Sequence, residues 1–146
     1  MVILLSFWIL VVVCCAYGAA FGGRSGRIGV TIFASGALLT GFATLVDREW
    51  RATVYLVFWI DLLCLIGFLF LALRSRHYWP LWFAGLHLVA VLVHLVTIIT
   101  PHFLPKAYVA LQAFWAIPML VIMVAGIRRD RQAMKESAFL PPCSPL

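Results

Sequence analysis

Residues 52–73, ATVYLVFWIDLLCLIGFLFLAL, decide how this chain is read. The run carries one charge, Asp61, and is closed at its two ends by Arg51 and Arg74. A helix that crosses a bilayer needs about 20 mostly apolar residues.

Four similar runs flank it, at about Val2 to Phe21, Ile28 to Val46, Leu81 to Thr100 and Ala107 to Ile127. The whole chain is 65% hydrophobic and 11% charged, with a mean hydropathy of +1.09. Soluble domains are about 45–50% apolar and about 25% charged. The composition excludes a soluble enzyme, a secreted disulfide scaffold and a disordered chain. It predicts an all-α polytopic bundle, residues 1–127, with five transmembrane helices.

The connections GGRSGR, DREWR, RSRHYWP and PHFLPK are short and hold most of the charge. Helices consecutive in sequence are therefore antiparallel neighbours. Residues 128–146 begin with the basic stretch RRDRQAMK and end in the proline-rich FLPPCSPL. They are expected to form a largely disordered cytoplasmic tail, whose Arg128, Arg129, Arg131 and Lys135 rest on anionic headgroups.

With the N-terminus outside, eight basic residues fall on the inner side: Arg24, Arg27, Arg74, Arg76, Arg128, Arg129, Arg131 and Lys135. Arg48, Arg51 and Lys106 fall outside. The bias predicts N-out, C-in, and it accounts for the net charge of +6 without a nucleic-acid partner. Trp50 suits the outer aromatic belt, and Tyr78, Trp79 and Trp82 the inner one. MVILLSFW lacks a basic n-region and opens a run longer than a signal-peptide core, so the first helix is read as retained despite Gly18 and Ala20.

Cys14, Cys15 and Cys64 lie within apolar runs and Cys143 in the tail, without metal-ligand spacing. They read as packing residues. The second helix is rich in small residues, Thr31, Ala34, Ser35, Gly36, Ala37, Thr40, Gly41, Ala43 and Thr44, which let helix backbones approach closely in lipid. It is expected to sit centrally in the bundle. Pro118 predicts a kink in the fifth helix.

Few polar residues fall within the spans. Asp61 is the sole acid inside one. A carboxylate there costs about 3 kcal/mol on insertion scales and should find a partner inside the bundle. His87 and His94, seven residues apart, share a face of the fourth helix, about 10 Å apart along its axis. At 1.5 Å per residue from the outer helix ends, Asp61 lies about 13 Å deep, Thr40 and His94 about 9 Å, Gln112 about 8 Å and His87 about 20 Å. Thr40, Asp61, His94 and Gln112 thus fall in one layer and form the candidate buried polar cluster.

Three uses of this layer compete. The first is a structural network with Asp61 bonded to His94. The second is a proton-linked channel or transporter subunit built on the same two residues. The third is a haem or chlorophyll-type pigment held by His87 or His94. Two histidines on one helix face cannot take opposite sides of one iron, so a bis-histidine haem would need a second chain. Motifs for metalloprotease, serine-hydrolase or paired-carboxylate chemistry are missing, and no catalytic residue is assigned.

The strings GGRSGRIGV, WIDLLCLIGFLFLALRSRHYWPLWFAGLHLVAVLVHLV and AYVALQAFWAIPMLVIMVAGI resemble a family of small multi-span inner-membrane proteins of alphaproteobacterial type with no assigned activity. The resemblance rests on Asp61 to Leu63, Leu73 to Arg76, Tyr78 to Trp82, and His94 with Leu95, and is most specific at RSRHYWPLW. Other members carry glutamine where this chain has His87, which sets the resemblance against a ligand role there. It implies a bacterial inner membrane and nothing about mechanism. The sequence therefore predicts a small structural or accessory membrane protein without enzymatic activity, surrounded by lipid and by other membrane subunits or further copies of itself.

Overall fold

A computed structural model describes the backbone of residues 2–46, 50–99 and 105–139 and the side chains of residues 5–44, 54–99 and 114–136. Among these residues the chain forms five helices: α1 (Val2–Phe21), α2 (Gly23–Val46), α3 (Trp50–Arg74), α4 (Trp79–Ile99) and α5 (Pro105–Phe139). Each packs on its sequence neighbour, and α1 closes the ring against α5.

Three helices are long and apolar enough to cross a membrane: α2 over Gly23–Thr44, α3 over Val54–Arg74 and α4 over Trp79–Ile99. Their outer surfaces support the same conclusion. Leu56, Trp59, Leu63, Ile66, Phe70 and Leu73 of α3 all face outward and are exposed. A soluble monomer rarely displays a continuous apolar surface of this kind. The molecule is a membrane helix bundle.

The interior is built on aromatic contacts. Phe68 of α3 stacks on Phe83 of α4 with centroids 4.1 Å apart, and Phe33 of α2 meets Phe83 edge-on at 5.8 Å. Leu120, Met123 and Ile127 of α5 fill the space beside them. Helix α2 packs on α1 and α3 and meets α4 through Phe33, but it is no more central than α3 or α4, and Ile28, Leu38, Leu39 and Phe42 leave one side of it exposed. Three of its hydroxyls bond within the helix: Thr31 donates to Arg27 O, Ser35 to Ile32 O and Thr44 to Gly41 O.

Three expectations are corrected. First, GGRSGR is not a loop. Helix α2 starts at Gly23, with only Gly22 separating it from α1. Gly23 has φ +58°, a left-handed conformation that glycine adopts without steric penalty. Gly22 N–H donates to Gly18 O at 2.9 Å, Gly26 N–H donates to Gly22 O at 2.8 Å, and the Arg27 Nε–H donates to Ala19 O near the end of α1. The corner therefore needs no further residues.

Second, the tail is not disordered from residue 128, because α5 continues to Phe139. Its segment RRDRQAMKESAF contains neither Gly nor Pro and is rich in good helix formers. Contacts also hold it: Arg131 lies over the Phe21 ring at 4.3 Å, and Asp130 Oδ2 is 2.9 Å from His77 Nδ1. The prolines that suggested disorder begin only at Pro141, and residues 140–146 lie outside the described residues. Helix α5 runs through Pro118.

Third, Trp79 is not part of an interfacial belt. Only 4% of it is exposed, and it packs between Gly29 of α2 and Gly126 of α5. Any side chain at position 126 would collide with the base of the tryptophan. Tyr78 and Trp82 remain exposed beside it. Trp50 is the first residue of α3, and its side chain lies outside those described.

Candidate functional site

The most unusual chemistry lies on the α3–α4 seam, the most extensive helix contact in the bundle. Asp61 is half-buried on α3. Its Oδ2 lies 2.6 Å from Nε2 of His94, whose side chain is completely buried. One proton lies between these two atoms, in a short charge-assisted hydrogen bond.

His87, two turns before His94 on α4, reaches the same residue by a different atom. Its Nε2 is 3.1 Å from the backbone carbonyl oxygen of Asp61. A carbonyl oxygen only accepts, so Nε2 of His87 carries the proton. The imidazole lies near Phe68 and Phe83, with centroids 6.1 and 6.3 Å away. Among the described residues its Nδ1 is buried without a hydrogen-bond partner, as is the indole N–H of Trp115 on α5. A partnerless Nδ1 suits the neutral Nε2–H tautomer, because a second N–H there would be buried unsatisfied. Asp61 thus sits between two imidazoles, with its carboxylate directed to one and its carbonyl to the other.

The other sequence candidates distribute as follows. Thr40 is half-buried on α2, and no bond from it to Asp61 is present among the described residues. The side chain of Gln112 lies outside those described. Cys64, one turn after Asp61, donates weakly to Ile32 O at 3.7 Å, an additional link from α3 to α2. Arg128, Arg129 and Lys135 are exposed on the extended α5, whereas Arg131 is partly covered.

Sequence reasoning missed the bond from His87. Depth alone places this residue about 7 Å below Asp61. The signal available was the seven-residue spacing of His87 and His94, which brackets an acceptor at intermediate height.

Nε2 of His94 is engaged by Asp61 and Nε2 of His87 by the Asp61 carbonyl. That leaves Nδ1 of His87, whose ring lies near Phe68 and Phe83, without a partner among the described residues. Among the described residues no three His, Cys, Asp or Glu side chains gather as a metal site. No known family, curated protein or solved structure matches this chain.

Proposed function

We propose that the chain is a small structural or accessory component of a bacterial inner membrane, not an enzyme, and that its Asp61–His94 pair fixes α3 against α4. The observation that carries this reading is the direct 2.6 Å contact with His94 fully enclosed. A group withdrawn from every surface suits holding helices in register better than exchanging solutes. All five helices span the membrane in this reading, N-out and C-in. Helices α1 and α5 supply the two further spans, and the Arg-rich end lies in the cytoplasm, in line with the positive-inside bias. The bacterial inner membrane rests on the resemblance described above. The neighbours are lipid and other membrane subunits or copies of the chain.

A second reading has one observation in its favour. Two imidazoles converge on Asp61, and one has an Nδ1 without a partner among the described residues, an arrangement able to relay a proton. Reconstitution into liposomes under an imposed pH gradient separates the two. The structural reading expects no proton flux above that of empty liposomes. Flux that disappears in Asp61→Asn would replace it with the proton-linked reading.

A further inference from the structure

We infer that the Arg-rich end carries a specific site for the phosphate of an anionic phospholipid, in the cavity beside the α1–α2 corner. This inference rests on the reading that α1 and α5 cross the bilayer. The cavity is about 280 Å³ and is bounded by the corner, the α3–α4 linker and the extension of α5. That volume lies just below the roughly 300–1,000 Å³ of small-ligand pockets and suits a headgroup.

Its polar wall consists of Arg24, Ser25, His77, Asp130 and Arg131. Asp130 is the one acidic group, and it is engaged with His77 at 2.9 Å. Arg131 lays its guanidinium over the Phe21 ring at 4.3 Å. Such stacking occupies the flat face of the guanidinium and leaves its N–H edge for an anion. Arg24 faces the same space from the first turn of α2. Two arginines from different helices thus line one cavity, where phosphate oxygens would accept their paired N–H donors.

The rest of the wall is apolar and indicates a lipid as the source of the phosphate. Phe21 and Ile127 line the cavity. Beyond them the outer surfaces of α1 and α5 are apolar, with Ile9, Val12 and Val13 exposed on one and Phe114, Ile117 and Val121 on the other. A phospholipid would fill both regions, with its phosphate among the arginines and its acyl chains along these helices. Free phosphate would use only the basic half.

The test uses the full chain purified in a neutral detergent, with thermal unfolding followed as phosphatidylglycerol, phosphatidylcholine or inorganic phosphate is added. Phosphatidylglycerol is expected to raise the midpoint far more than the other two. Arg24→Gln with Arg131→Gln should weaken that response, roughly fivefold in apparent affinity per arginine removed. Arg128→Gln with Arg129→Gln removes the same charge from exposed positions outside the cavity and should weaken the response clearly less.

An equal loss in both double variants would overturn the site in favour of diffuse surface charge. An equal response to inorganic phosphate would overturn the lipid as its source. If the cavity variant does not fold, native mass spectrometry of the wild-type chain in an equimolar lipid mixture decides. One phosphatidylglycerol retained per chain supports the site, and no preference overturns it. Membrane fractionation separates this inference from the reading beneath it. A chain that fractionates with membranes but shows no lipid preference defeats the site alone, whereas a chain in the soluble fraction defeats both.

Discussion

Two aspartate–histidine pairs join different parts of this bundle, and they differ chiefly in their surroundings. His94 and Asp61 meet at 2.6 Å within the α3–α4 seam, with side chains 0% and 15% exposed. His77 and Asp130 meet at 2.9 Å between the α3–α4 linker and the extended α5, with side chains 37% and 29% exposed. The residue types are the same and the distances nearly so. In water an exposed pair gains about 0–1 kcal/mol, because solvent and salt compete for both partners. Away from water, loss of one partner strands a buried polar or charged group, at a cost of about 3–5 kcal/mol in soluble proteins. The inner pair is therefore expected to fix the geometry of the bundle. The outer pair adds only a modest tether to the end of α5.

The largest expected effect is all-or-none and concerns where the outer pair lies. A reporter active only in the cytoplasm should be active when fused after Leu146 and silent when inserted after Glu49, as the basic bias requires. The reverse pattern would place the Arg-rich end outside and remove the proposed inner-leaflet setting of His77 and Asp130.

Next in size is removal of the buried carboxylate. Asp61→Leu should destabilise the protein in detergent by on the order of 3 kcal/mol, because His94 loses its acceptor. Asp61→Asn should cost clearly less, since the amide retains hydrogen-bonding capacity without the charge. Equal and negligible losses in chemical or thermal unfolding would mean that the seam does not depend on this contact.

His87→Leu should cost less than Asp61→Leu, about 1 kcal/mol. The lost bond is neutral, and the Asp61 carbonyl it leaves belongs to the hydrogen-bonded α3 helix. A loss as large as that of Asp61→Leu would show that the two imidazoles act as one network.

The smallest effect is expected at the outer pair. His77→Ala should cost under about 1 kcal/mol, and high salt should shrink the difference further. A salt-independent loss comparable to that at Asp61 would erase the contrast between the two sites.

Much of the fold could be read from the chain because helix length and lipid thickness impose the same scale on every span. The 1.5 Å rise brought Asp61 and His94 to nearly one level, and the short RSRHYWP linker made α3 and α4 neighbours. The features that escaped depend on contacts between residues distant in sequence. Nothing near Trp79 indicates that Gly29 and Gly126 leave room for its ring. The bond from His87 goes to a backbone carbonyl, which side-chain patterns do not reveal. The extension of α5 was hidden by the prolines after residue 140, whose influence was carried too far back along a helix-forming segment. The corner at Gly23 depends on a positive φ that the doubled glycine permits without requiring.

The central claim is that Asp61 and His94 stabilise the bundle through each other. A double-mutant cycle measures this directly: unfolding free energies in one detergent for the wild type, Asp61→Leu, His94→Leu and the double variant. The expected result is a coupling of at least about 1 kcal/mol, with the double variant losing clearly less than the two single losses combined. Strictly additive losses, with no coupling, would contradict the claim.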